Sequence, residues 1–166
     1  YSSNSGCSSQ LFIDASGKLL DPHNGLQDLI EHRLRHTSSA FSEDPTRVLC
    51  GMRFCGQLDL RPYRRTVELC KLMFDRYDEI EADMIWAEWE KWAKRSIKPS
   101  RGLAFLWSTG WLHHYPELYA LTRLHQEPKW HPEGSAWQHT KHVVDRMNDI
   151  CNRDFISGDE KIIHMF

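Results

Sequence analysis

A mainly α fold, with a short N-terminal β-hairpin followed by a multi-helix bundle, is predicted on three observations. Apolar residues recur at three- and four-residue spacing from Leu26 onward. Short apolar runs around a turn are confined to residues 11–22. Ser, Pro and Gly fall where helices would start and stop. With 166 residues, 40% of them hydrophobic, the chain has room for one sizeable helical core, or two small ones sharing a linker.

Residues 1–10 are rich in Ser and read as a disordered or added tail. Leu11-Phe12-Ile13 and Leu19-Leu20 flank Ala15-Ser16-Gly17-Lys18, where Ser-Gly supplies backbone freedom, so two short strands around a turn are predicted. This is the only strand signal. Leu26 to Leu34 has the spacing of a short helix. Ser42 is a candidate cap for a second, from Glu43 to about Leu58, with Pro45 tolerated in its first turn and Val48, Leu49, Met52 and Cys55 as its apolar stripe. A third begins near Pro62 and turns Val67, Leu69, Cys70, Met73 and Phe74 inward. A fourth, from about Glu81 to Lys94, carries Trp86, Trp89 and Ala93 on one face and Glu88, Lys91 and Lys94 outside; its tryptophans read as core. Pro99-Ser100 restarts a helix through Leu103, Leu106 and Trp107 that Gly110 terminates. Pro116 opens another, ending near Leu124. A loop with Pro128 and Pro132 leads to a long helix from Ser135 to about Asn152, and Ser157 would cap a last one reaching Phe166.

No apolar run approaches the ~20 residues of a membrane span, and no signal-peptide pattern is present. The composition predicts a soluble, intracellular, cytoplasmic protein. Cys7, Cys50, Cys55, Cys70 and Cys151 are odd in number and lack C-x-x-C spacing, so they read as reduced, mostly buried thiols. The net charge of −2 does not advertise a nucleic-acid partner. The balance is uneven, however: Arg33, Arg35, Arg47, Arg53, Arg61, Arg64, Arg65, Lys71 and Arg76 cluster in one stretch, a pattern that fits either a phosphate-binding patch or a solvated helix surface.

The informative stretch is Glu43-Asp44-Pro45-Thr46-Arg47. On a helix, Asp44 and Arg47 would project from one face. An ionised Asp only accepts hydrogen bonds and an Arg only donates them. Cytosine and adenine present an amino donor beside a ring-nitrogen acceptor; uracil and guanine present a carbonyl beside a ring N–H. Such a pair therefore matches C and A and mismatches U and G, and each unpaired group would cost about 1–3 kcal/mol. Taken alone, an i, i+3 Asp/Arg pair is also what a plain surface ion pair looks like.

Context sharpens the reading. Asp21-Pro22-His23-Asn24-Gly25-Leu26-Gln27-Asp28-Leu29, then Leu34-Arg35-His36, then Ala40-Phe41-Ser42-Glu43-Asp44-Pro45-Thr46-Arg47-Val48-Leu49 closely resembles the class II CCA-adding tRNA nucleotidyltransferase and bacterial poly(A) polymerase family. The likeness continues through Tyr115-Pro116-Glu117-Leu118 and Pro128-Lys129-Trp130-His131-Pro132-Glu133-Gly134. It implies residual head strands over 11–24, neck helices over 25–98, and body helices with a truncated HD-type region over 99–166. By the same resemblance, Asp44 and Arg47 would pair with incoming CTP or ATP, and Glu43 would steady the arginine. Asp21, Gly25 and Asp28 would form a hinge between head and neck, although Gly25 also fits a simple turn glycine. Arg53, Arg61, Arg64 and Arg65 would contact triphosphate or RNA phosphates; the last three also fit a solvated helix face.

The implied activity is nucleotide addition to the 3′ end of tRNA or another RNA, with Mg2+ held by head carboxylates after a Gly-Ser pair. Those carboxylates have no counterpart before Phe12, so the chain by itself is expected to be inactive, and a head on another segment or chain would supply them. His139 matches the first metal histidine of an HD-type phosphohydrolase, but one imidazole makes no site. Two alternatives stay open: a fragment of such a metal-dependent phosphohydrolase, and a non-catalytic helical RNA-binding module.

Overall fold

The computed structural model describes residues 12–13, 17, 19–124 and 134–153. Strand β1 (Phe12–Ile13) pairs antiparallel with β2 (Leu19–Leu20), Phe12 opposite Leu20, as the apolar pairs predict. Helix α1 (Gly25–Ile30) starts where Asp21 can cap it: one carboxylate oxygen accepts the Gly25 N–H at 2.6 Å and the other the Leu26 N–H at 2.9 Å. Asn24 takes the left-handed conformation at this junction, φ 56°, a region Asn tolerates well.

The predicted helix over 26–34 stops short of its predicted end. His32, φ 51°, turns the chain, and Arg33–Leu34 becomes β3, which pairs in parallel with β4 (Arg61–Pro62). The Arg61 N–H donates to the His32 carbonyl at 2.7 Å and the Tyr63 N–H to the Leu34 carbonyl at 2.8 Å. Two-residue strands leave no alternation to read, so this second strand pair is absent from the sequence prediction.

A 3-10 turn (Ser39–Glu43) precedes α2 (Thr46–Gln57), the central helix, which packs against α4 (Ala82–Arg95) and most extensively on α5 (Pro99–Thr109). Its predicted stripe of Val48, Leu49, Met52 and Cys55 is fully buried. Close approach to α5 depends on missing side chains: a Cβ on Gly51 would lie 2.8 Å from the Phe105 ring, and one on Gly102 would collide with the Trp92 indole. Helix α3 (Arg64–Leu72) and a 3-10 turn (Phe74–Glu79) lead to α4.

On α4 the predicted faces are partly exchanged. Trp89, Trp92 and Ala93 enter the core, but Trp86 is 54% exposed and Glu88, expected outside, is buried. Glu88 is inward because charges meet it there: Arg53 Nε at 2.6 Å and Lys91 Nζ at 2.8 Å. Gly110, φ 81°, ends α5 as predicted, followed by a 3-10 turn (Trp111–His114), α6 (Pro116–Leu121) and α7 (Ala136–Arg153). Asp145 ties α7 to the start of α5 by accepting the Ser100 N–H at 2.9 Å and its hydroxyl at 2.7 Å. One buried cluster runs from Leu34 to Val144 and crosses the 98/99 boundary between predicted neck and body. Among the described residues Cys50, Cys55, Cys70 and Cys151 are in no disulfide, Cys50 part-exposed and the others buried. Among the described residues no helix is long and apolar enough to cross a membrane. Cys7, the 128–133 part of the resemblance and the predicted helix ending at Phe166 lie outside the described residues.

Candidate functional site

Asp44 and Arg47 are neighbours, but not on one helix as predicted. Asp44 is extended, φ −129° and ψ 111°, and sits ahead of α2. Its Oδ1 accepts the Thr46 N–H at 2.9 Å and its carbonyl accepts the Arg47 N–H at 3.2 Å, so it works as a cap that Pro45 cannot provide. The Arg47 Nε stands 4.0 Å from Asp44 Oδ2, too far for a hydrogen bond. The Asp44 side chain is half exposed and that of Arg47 is 17% exposed. A half-exposed carboxylate therefore stands beside a mostly buried guanidinium, the two not hydrogen-bonded to each other.

Two arginines hold the turn that carries this pair. Arg47 Nη1 donates to the Ala40 carbonyl. Arg76, from the 3-10 turn after α3, donates to the Ser42 carbonyl at 2.6 Å and the Glu43 carbonyl at 3.2 Å, while Glu79 grips it at 2.8 and 2.9 Å. Glu43 is exposed and contributes its backbone oxygen to Arg76; the arginine it was expected to steady is held by Ala40 instead.

The other predicted residues fall into three groups. Arg53 is only 14% exposed and faces inward, with Glu88 on Nε, Gln57 Oε1 at 3.0 Å on Nη1, and the Phe54 ring 4.1 Å from its guanidinium carbon. It is not offered to a phosphate on an open surface. The expected hinge is closed by hydrogen bonds: beyond the Asp21 cap, buried Asp28 accepts from Arg35 Nε at 2.8 Å, and Arg35 Nη2 reaches the His23 carbonyl at 2.8 Å. Asp21 is part-exposed, and the backbone donors Leu26 and Gly25 hold its carboxyl below its ordinary value. Gly25 opens α1 as a buried residue with its N–H on Asp21, so the positive φ of this turn belongs to Asn24. Arg61, Arg64 and Arg65 do not share one helical face. Arg61 is in β4, Arg64 pairs with Glu68 at 3.0 Å, and Arg65 lines a cleft with Arg33 and Arg35. His139, on α7, borders a groove with Lys98, His142 and Asp145; among the described residues no group of three or more His, Cys, Asp or Glu is placed to hold a metal.

No family model matches the chain. A multifunctional CCA protein of Vibrio vulnificus is 37% identical over 140 residues, 81% of this chain and 34% of that protein. One of Xanthomonas campestris pv. campestris is 34% identical over 156 residues, 91% and 38% respectively. This segment belongs to the CCA-adding tRNA nucleotidyltransferase family. A solved CCA-adding enzyme in complex with CTP shares the fold at a TM-score of 0.53 and 21% identity, over 79% of this chain and 28% of that one. A solved tRNA-processing enzyme in an apo form does so at 0.50 and 24%, over 90% and 43%. The chain spans about a third of the length of the curated CCA proteins it matches. For a CCA-adding nucleotidyltransferase segment, the residues that sequence reasoning missed are Arg76, which braces the Asp44 turn, and Glu88, which neutralises Arg53. The i, i+3 spacing of Arg76 and Glu79 was visible in the sequence; the reach of Arg76 to the Ser42 carbonyl was not.

Proposed function

We propose that this chain selects the nucleobase and holds the RNA in an enzyme that adds C and A to RNA 3′ ends, as CCA on tRNA or as poly(A). The observation that supports this is the half-open Asp44–Arg47 pair on a turn braced by Arg76. Asp44 Oδ2 would accept the amino group of cytosine or adenine, and Arg47 would donate to the adjacent ring nitrogen. Uracil or guanine would set carbonyl against carboxylate and ring N–H against guanidinium, leaving two groups unpaired at about 1–3 kcal/mol each. The same two side chains serve both accepted bases, so the pair selects against U and G without separating C from A.

CTP and ATP are the substrates in this reading and an RNA 3′ end the partner. Mg2+ supplies the phosphoryl-transfer charge stabilisation when bound. The described residues of this chain do not fit it, and carboxylates of a head domain on another segment or chain would hold it. Equilibrium binding of the four nucleoside triphosphates tests the reading. CTP and ATP are expected to bind at least tenfold more tightly than UTP and GTP, and Asp44→Ala or Arg47→Ala to erase the difference. Equal binding of all four by the unaltered protein would refute base selection by this pair.

A further inference from the structure

A second polar constellation forms where β3 meets β4 and α3 begins. Arg33, Arg35, His36, Tyr63 and Arg65 wall a cleft of about 270 Å³. Its arginines are unequally engaged. Arg35 is held by Asp28 and the His23 carbonyl, and Arg33 pairs with Glu31 and stands 4.0 Å from Asp28. Among the described residues no carboxylate pairs with Arg65, which is exposed in the first turn of α3. Three guanidiniums thus face two carboxylates, and the cleft keeps net positive charge beside a nine-residue helix whose N-terminus adds to it.

His36 supplies the neutral part of the donor set. Thr66 Oγ1 lies 3.1 Å from the His36 N–H and 2.9 Å from its Nδ1. The hydroxyl oxygen accepts the backbone N–H and can donate its own hydrogen to Nδ1; that arrangement goes with the tautomer whose ring proton is on Nε2. Burial, then the charges of Arg35 and Arg65, hold the imidazole below its ordinary value, which favours the neutral ring, and His36 lines the cleft.

We propose that this cleft binds a phosphate group, from an RNA backbone or from a nucleoside triphosphate, with Arg65 and His36 Nε2–H as its principal donors. Donors from the β3 end and from the α3 start approach from separate elements, which suits a tetrahedral anion better than a flat carboxylate. Only the source of the phosphate rests on the nucleotidyltransferase reading; the anion site does not.

The test follows the His36 imidazole resonances of the intact protein by NMR while inorganic phosphate, CTP or a single-stranded twelve-nucleotide RNA is added. A bound phosphate is expected to move the His36 titration midpoint upward, because an added anion favours the imidazolium. Arg65→Ala is expected to weaken that response about tenfold, as loss of one partly solvated charge-assisted contact. Arg123→Ala, an equal charge change outside the cleft, is expected to leave it within twofold. A response to RNA alone assigns the site to the RNA backbone, a response to CTP alone assigns it to the triphosphate, and either supports the site. Silence of His36 toward all three, or unchanged binding by Arg65→Ala, overturns it. The two proposals fail separately: in the unaltered protein, a His36 response to phosphate together with equal binding of all four triphosphates would leave the phosphate cleft standing and remove base selection.

Discussion

Replacing Arg53 by Met tests whether this arginine serves the fold or the ligand. Glu88 is 4% exposed and Arg53 14%, and their 2.6 Å contact is supported by Gln57 on the arginine and Lys91 on the carboxylate. Removing one member of such a pair leaves a buried charge without its main partner, at about 3–5 kcal/mol. Lys91 remains 2.8 Å from the other oxygen, so the loss is reduced to roughly 2–4 kcal/mol. At this chain length that lowers Tm by roughly 5–15 °C. Urea denaturation followed by tryptophan fluorescence is a suitable assay, since Trp89 and Trp92 follow Glu88 on α4. Adding Glu88→Leu to Arg53→Met is expected to restore most of the stability, because an apolar pair of similar volume carries no desolvation cost. CTP affinity at a temperature where Arg53→Met is still folded is expected to stay within twofold. A stability loss under about 0.5 kcal/mol, or a large loss of CTP affinity without loss of stability, would refute the assignment and return Arg53 to the triphosphate.

Two further perturbations follow from the same packing and charges. Gly51→Ala puts a methyl 2.8 Å from the fully buried Phe105 ring, and is expected to destabilise by about 1–3 kcal/mol, read as a lower urea midpoint at unchanged slope; a midpoint at or above the original would show that α2 and α5 can part freely. His36 and His114 both lie below the ordinary imidazole value of 6.5, each chiefly through burial; for His114 the Phe74 carbonyl and Asp78 oppose the effect only in part. The unfolded chain therefore binds more protons than the folded one just below pH 6.5, so stability is complete above that value and declines as pH falls through it. The lowered carboxyls of Glu79 and Glu88 act below about pH 4.5, outside this window, so equal urea midpoints at pH 7.5 and 5.5 would contradict the burial of the two imidazoles.

What the sequence could show depended on whether the deciding contact was local. Helices α2, α5 and α7 were legible because their apolar spacing persists over 11 residues or more, and Gly110 was legible as a terminator because only one neighbouring φ has to be satisfied. Glu88 was misplaced because periodicity counts a carboxylate as outward, and the guanidinium that reverses this comes from 35 residues earlier. The β3–β4 pair and the cleft beside it join residues 33–36 to 61–66, across α2, so no window along the chain contains both walls. The Asp44–Arg47 pair is the instructive case. Its proximity was predicted from helical spacing, yet Asp44 is not helical. The two remain together because a residue that caps a helix is bonded to that helix's first turn through both its side chain and its carbonyl. A cap also differs from a helical position in what it leaves available. One carboxylate oxygen accepts from Thr46 and the other lies 4.0 Å from Arg47 Nε on a half-exposed side chain, whereas a helical Asp44 within hydrogen-bonding reach of Arg47 would have its acceptors and the arginine's donors satisfied by each other. The departure from the predicted helix is therefore what leaves Asp44 Oδ2 and the Arg47 Nε beyond hydrogen-bonding distance of each other, as the proposed base-reading role requires.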